Sequence, residues 1–271
     1  MPHSAEHTKH DLADPWMPSG FEFGRLRIEI ASGPAEMDAV QRLRAARFRG
    51  GHGSDLDRFD TACQHLLVRA LPDGAPVAAA RLRLLADPQT TAESYTAQFY
   101  DLGKLAEAGY RLMEIGRICI VEGQIQDPDI LRALLAGLTR RAVALRAQML
   151  VGCASFPGAT VARHAAALRH LAAHSIGPEA LRPRRRAGTQ IIDLPREEPA
   201  EGAAGLRGMP PLLRMYLGMG GWVSDHAVCD PDLDTLHVFT AVEPGRIPPA
   251  RLRALCALAG GRLFPQPFGL S

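Results

Sequence analysis

The chain has 271 residues, 46% of them hydrophobic and 22% charged, with a formal net charge of +2. That is apolar material enough for one large core, and a charge so nearly balanced gives no support for a general nucleic-acid binder. Five scattered cysteines (Cys63, Cys119, Cys153, Cys229, Cys256) without a CxxC pair argue against a disulfide framework or a structural zinc site and fit a reducing, cytoplasmic compartment. Lys9 and Lys104 are the only lysines, so nearly all positive charge is arginine. A GC-rich coding sequence explains that bias as readily as selection for bidentate anion contacts does.

Residues 1–21 are polar and rich in His and Pro, without the apolar stretch of a signal peptide, and are read as a flexible tail before a single domain over 22–271. Arg25 to Ala31 alternates as a strand; Pro34 to Arg49 has helical spacing at Met37, Val40, Leu43 and Phe48; Gly50 to Asp60 is a Gly- and Asp-rich loop. Gln64 to Ala70 and Pro76 to Leu85 form a hairpin about Pro72-Asp73-Gly74, and Phe99 to Leu105 is a short helix or turn. Leu112 to Val121 reads as a strand, and Asp127-Pro128-Asp129 caps a long helix, Ile130 to Ala147. A strand at Met149 to Ala154 and a helix at Ala159 to His174 follow, with an irregular Arg182 to Gly208 after them. A helix at Pro210 to Met219, a strand at Thr235 to Val242 and a helix at Pro248 to Ala259 close the chain. Interleaved strands and helices imply an α/β (α+β) fold about a mixed sheet. No apolar run approaches a bilayer span, so any membrane contact is peripheral, at the inner membrane.

The segment Leu112-Met113-Glu114-Ile115-Gly116-Arg117-Ile118-Cys119-Ile120 is the most informative. It places an acid and an arginine three apart inside an apolar strand. Side chains alternate along a strand, so Glu114 and Arg117 are expected on opposite faces, with at least one charge satisfied internally. Asp57, Asp60 and Arg83 are the upstream candidates for partners. Glu114 reads either as a base, its pKa raised by burial, or as one half of an ion pair with Arg83.

Arg44 and Phe48, then Asp57-Arg58-Phe59-Asp60, Arg83-Leu84-Leu85 and Glu114-Ile115-Gly116-Arg117, occur in an order that resembles the acyl-homoserine-lactone synthases, a branch of the GNAT acyltransferases. His65-Leu66-Leu67-Val68, Ser94 to Leu102, Asp127 to Leu131, Gly152 to Phe156 and Pro210-Pro211-Leu212-Leu213 resemble their relatives, the ornithine N-acyltransferases of ornithine-lipid synthesis. The resemblance covers roughly residues 25–260. It departs at Asp232-Leu233-Asp234-Thr235-Leu236-His237, where many relatives look more like Asp-x-Phe-Asn-Thr-x-Asp, and this leaves the acceptor amine open.

The resemblance implies a GNAT-like fold, a 3-hydroxylated acyl chain given by acyl carrier protein as co-substrate, ornithine as acceptor, and no cofactor or metal. Carried onto this chain, it implies Glu114 and Arg117 at the catalytic centre, and Arg44, Phe48, Asp57, Asp60 and Arg83 about the acceptor. Backbone amides at Cys119, Ile120 and Val121 would hold the pantetheine. The residues add two arguments about the donor. Glu122 to Asp129 has one glycine, one proline and several acids, a poor cradle for a CoA pyrophosphate. Arg182, Arg184, Arg185 and Arg186 form a basic cluster that would suit an acidic carrier protein or be a solvated loop. Cys153 reads as a small core residue, not a nucleophile, and His237 as a core histidine. The apolar run from Leu212 to Trp222 reads first as core and otherwise as an acyl tunnel or membrane-facing patch. Two other readings stay open: acylation of another amine, as in a homoserine-lactone synthase, and a non-catalytic carrier- or membrane-binding protein.

Overall fold

The computed structural model describes residues 20–195, 205–206 and 208–260. The tail expected over 1–21 lies outside them except for its last two residues, and Phe21 already opens strand β1 (Phe21–Phe23). Then come β2 (Leu26–Ile30), α1 (Pro34–Phe48), β3 (Gln64–Ala70), β4 (Pro76–Leu85), α2 (Pro88–Ala92), β5 (Tyr100–Asp101), α3 (Gly103–Glu107) and β6 (Leu112–Ile120). The second half holds α4 (Pro128–Ala144), β7 (Met149–Pro157), α5 (Val161–His174), β8 (Arg184–Arg185) and β9 (Ile191–Asp193). It ends with α6 (Pro211–Gly218), β10 (Trp222–Asp230), β11 (Thr235–Val242) and α7 (Pro249–Leu258).

Among the described residues one large sheet runs β1-β2-β3-β4-β6-β7-β11-β10-β9, and β5 pairs with β8 as a small ribbon. Every neighbouring pair in the large sheet is antiparallel except β6 and β7. Alternation along β3 and β4 sends Leu66, Val68, Ala78, Ala80 and Leu82 toward one face, where α4 lays down Ile130, Ala133, Leu134 and Leu138 at helical spacing. Leu67 and Ala79 go to the other face, against Ala39, Val40 and Leu43 of α1. Helix α4 rides close to the sheet because Gly137 has no side chain: a Cβ there would sit 2.9 Å from Ile28 and Leu66 methyls. In the second half α5 and α6 continue the α4 layer, with Leu168, Leu171 and Leu213 packed on Phe156, Leu236 and Val238.

Three segments differ from the sequence reading. Strand β10 is absent from that reading, because Ser224, Asp225 and His226 interrupt its apolar pattern. Its register against β11 is irregular between Val223 and Ala227, and there Ser224 Oγ donates to the His226 carbonyl (2.6 Å) and accepts from Phe239 N (3.1 Å). Ser224 is thus satisfied inside a buried strand. Phe99 to Leu105 divides into the end of a 3-10 turn, strand β5 and the start of α3. The segment expected to be irregular after Arg182 contains β8 and β9, while 196–204 and 207 lie outside the described residues.

The parallel pairing of β6 with β7 covers only Leu112↔Met149, Met113↔Leu150 and Glu114↔Val151. Beyond it β6 stays with β4 and β7 stays with β11, so the two strands part and the sheet opens. Gly152 stands where they separate. A Cβ there would be 2.3 Å from the Ile115 carbonyl oxygen, so only glycine allows so close an approach.

Candidate active site

Glu114 and Arg117 lie on the same face, contrary to simple alternation. On β4, Ala79 and Arg81 pair with Cys119 and Gly116 of β6, so β6 carries one residue more than its partner. Arg117 takes up the difference with φ +49°, a left-handed conformation that costs a non-glycine residue about 1–2 kcal/mol. The bulge shifts the parity of the strand. Glu114 then accepts from Tyr95 N (3.2 Å) and Thr96 N (2.7 Å), and the Arg117 guanidinium lies 4.9 Å from the Tyr95 ring centre.

Glu114 is 5% exposed, and its hydrogen bonds come from those two backbone N–H groups. Among the described residues no cationic side chain pairs with it. Arg83, its cross-strand neighbour, turns instead to Glu93, donating to the carbonyl (2.7 Å) and the carboxylate (3.4 Å). The Glu114–Arg83 ion pair is therefore not formed.

The remaining charges form a compact lattice. Arg44, 1% exposed, donates to Asp55 Oδ2 (2.8 Å), the Asp55 carbonyl (2.6 Å) and Asp60 Oδ1 (2.6 Å). Arg81 donates to Asp57 (2.6 Å) and Asp60 (2.9 Å), and Arg117 to Asp55 (2.8 Å) and Asp57 (3.5 Å). Arg49 joins Asp55 (3.0 Å) to Asp232 (2.7 Å), tying the α1 end to the β10–β11 turn. Burial would raise the Asp60 carboxyl, but Arg44, the Asp57 N–H and Arg81 hold it down at about 2. Burial likewise opposes the charge on Arg117, yet Tyr95 and Asp55 outweigh it and raise its pKa. Asp57 and Asp60 are thus matched by arginines, which leaves them little charge to offer a cationic acceptor. Asp55, Arg81 and Arg49 escaped the sequence reading as site residues, and Asp232 entered it only in the segment that departs from the family pattern. Ala79, Arg81 and Arg83 alternate onto one face, but only the fold shows which arginine meets the acids.

A cavity of about 460 Å³ occupies the opening between β6 and β7 and is lined from both faces of the sheet, a size suited to a small ligand. On the α1 face its wall includes Phe48, Arg83, Tyr95, Glu114, Arg117 and His237. On the α4 face it is apolar, with Leu131 and Leu135 of α4, Leu213 and Tyr216 of α6, and Leu252 of α7 among its walls. Leu212, Leu213 and Tyr216 of the apolar run therefore line the chamber, whereas Trp222 belongs to β10 and packs on Phe239. Past Glu114, the edge of β6 that faces β7 has no strand partner among the described residues. Cys119 and Ile120 lie on this stretch, but Val121 N bonds the Val77 carbonyl (2.8 Å) and is not free for a ligand. Cys153, read as a core residue, is half-buried and lines the cavity; burial raises its thiol above the ordinary value, which disfavours a reactive thiolate.

At the α4 N-terminus Asp127 accepts from Asp129 N (3.0 Å) and pairs with Arg25, so a carboxylate stands where a helix would offer N–H groups to a phosphate. In the basic cluster, Arg182 faces Asp225 (4.0 Å), Arg184 faces Asp101 (3.8 Å) and Glu107 (3.9 Å), and Arg185 pairs with Asp193, while Arg186 is exposed.

A central sheet parted between its two parallel strands, with a buried carboxylate at the vertex and a cavity through the gap, defines an acyltransferase of the GNAT kind. The acetyltransferase (GNAT) domain model matches residues 41–135, and the fold resembles that of FeeM, an N-acyl amino acid synthase from uncultured soil microbes. That likeness has a TM-score of 0.50 at 11% identity, covers 84% of this chain and 98% of that one, and concerns the fold alone. The chain belongs to the L-ornithine N(alpha)-acyltransferase family. The Brucella abortus member is 32% identical over 247 residues, spanning 83% of this chain and 86% of its own length. The Rhodobacter capsulatus member is 33% identical over 232 residues, spanning 80% and 89%.

Proposed function

We propose that the protein transfers an acyl chain from acyl carrier protein to the α-amine of ornithine, forming the amide of lyso-ornithine lipid. The observation that carries this reading is the two-sided cavity: a polar end holding Glu114 and an apolar end between α4, α6 and α7, joined through the parted strands. A long acyl chain fits the apolar end, a charged amino acid the polar end, and their reacting atoms meet at the vertex.

The chemistry needs a free amine, a base and a stabilised oxyanion. Glu114, held by two N–H groups and lacking an ionic partner, takes a proton from the α-ammonium. The amine attacks the thioester carbonyl, the unpaired β6 edge donates N–H groups to the oxyanion, and the C–S bond breaks as the C–N bond forms. The departing pantetheine thiolate takes the second proton from the nitrogen, and the first passes from Glu114 to solvent. Arg117 stands on the same face and suits the acceptor carboxylate, while Arg44, Asp60 and Arg81 hold the loop in place. The carboxylate of Asp127 at the α4 N-terminus favours a donor without a nucleotide pyrophosphate. Among the described residues no helix is long and apolar enough to cross a membrane, so delivery of the lipid product suits peripheral contact.

The test is an assay with 3-hydroxyacyl carrier protein, the matching acyl-CoA, ornithine and competing amino acids, read by product mass. An N-acyl ornithine formed from the carrier thioester supports the reading. A different amide keeps the reaction and removes the substrate; carrier binding without product points to a non-catalytic protein.

A further inference from the structure

On the α1 face, beyond Tyr95, two buried polar groups have no use in the mechanism above. His237 lines the cavity, is 1% exposed, and its buried Nε2 has no hydrogen-bond partner among the described residues. The other side of the ring is engaged. Tyr100 donates its hydroxyl to the His237 carbonyl (2.9 Å), and the same oxygen lies 3.2 Å from Nδ1. With its one hydrogen directed to the carbonyl, the Tyr100 oxygen accepts from Nδ1–H, so Nε2 carries the lone pair. Phe99 packs edge-on against the ring at 4.7 Å and fixes its plane. Asp230 is 3% exposed on the same face of the sheet. It accepts from the Tyr95 hydroxyl (3.3 Å) and from the N–H groups of Asp232 (3.0 Å) and Leu233 (3.4 Å), and no cation pairs with it among the described residues. A neutral lone pair at the wall with an unmatched buried carboxylate nearby suits a cationic N–H donor and rejects a second carboxylate.

Register gives the spacing. Glu114 pairs with Val151, and His237 pairs with Ser155 four residues further along β7. At about 3.3 Å per residue and about 4.8 Å per strand, the Cα atoms of Glu114 and His237 lie roughly 16 Å apart. Across that spacing one amine cannot meet both groups, whereas a ligand with a second amine several bonds from the first extends from Glu114 toward His237.

We propose that His237 is a specificity-determining residue whose Nε2 accepts a hydrogen bond from the side-chain ammonium of a diamino-acid acceptor, with Asp230 supplying the negative charge behind it. This rests on the acceptor reading above. The test compares ornithine with 2-aminopentanoic acid, which has the same carbon chain without the second amine, in the full-length protein and its His237→Phe variant. The variant is expected to lose about 10- to 100-fold in the ratio of kcat/KM for the two acceptors, chiefly through KM for ornithine, with KM for the acyl donor unchanged. A folded variant with an unchanged ratio overturns the proposal. In the wild-type protein with labelled histidines, the His237 Nε2 resonance should shift on adding ornithine and not on adding 2-aminopentanoic acid. Equal response to both, or to neither while ornithine is acylated, overturns it as well. A wild-type protein that acylates no amino acid removes the acceptor reading, and the selective resonance shift then decides on diamine binding by itself.

Discussion

Arg117 Nε meets Asp55 Oδ2 at 2.8 Å from a backbone held at φ +49°, so an ion pair and a strand bulge are parts of one device. The bulge brings the guanidinium onto the Glu114 face, and the aspartate, itself fixed by Arg44 and Arg49, holds the bulge in place. Arg117→Ala should therefore do more than delete a charge. We expect catalytic efficiency to fall by about 10²-fold or more, with a loss of about 1–3 kcal/mol in stability. Arg117→Lys, which lacks the planar fork, should recover stability better than activity. Steady-state kinetics beside thermal melts separate the two effects.

Glu114→Gln keeps an oxygen that accepts from the Thr96 N–H, removes the basic carboxylate and sets an amide NH2 against the Tyr95 N–H. The variant should fold with a loss of about 1–3 kcal/mol in stability and lose about 10²–10⁴-fold in kcat. A variant as active as wild type would remove Glu114 as the base.

Asp60 makes stability depend on acid. Its folded pKa of about 2 lies below the ordinary carboxyl value of 3.8, so its contribution is complete above that value and is lost as the pH falls through about 2. Asp60→Asn leaves Arg44 and Arg81 short of a partner and should cost about 3–5 kcal/mol at neutral pH. The difference from wild type should shrink toward pH 2 in denaturant titrations.

His237 works in the same direction over a higher range. Burial lowers it from 6.5 to about 4, so the unfolded chain takes up a proton that the folded protein refuses. Stability is full above pH 6.5 and falls by about 3 kcal/mol as the pH drops to 4. His237→Phe should flatten that part of the profile, measured as the wild-type minus variant difference across those pH values.

The apolar chamber predicts chain-length selection. Leu135→Trp narrows it from the α4 side and should move the preferred acyl chain to shorter lengths. Each methylene that no longer fits costs about 0.8 kcal/mol, roughly fourfold in kcat/KM. A series of acyl carrier thioesters of different lengths measures the shift.

Much of this was legible along the chain. Gln64–Ala70, Pro76–Leu85 and Thr235–Val242 follow from local apolar pattern, and Asp127 does cap α4, because such features depend on near neighbours in sequence. The burial of Glu114 followed from one acid inside an apolar strand. Strand β10 was hidden because Ser224 is satisfied through a register irregularity and the neighbouring strand β11, which the local pattern does not show.

By itself the sequence determined the interleaved elements, the buried acid on the central strand and, through the order of its motifs, the family. The tertiary structure decided everything that rests on register. A single extra residue in β6 turned Glu114 and Arg117 to one side, and pairing chose Arg81 over Arg83 for the aspartates. The parting of β6 from β7 made a cavity that no local segment contains, and the β11–β7 register brought His237 to its wall. The physical reason is that alternation fixes a side chain's face only within its own strand. Which charges meet across strands depends on a ladder that one residue can shift.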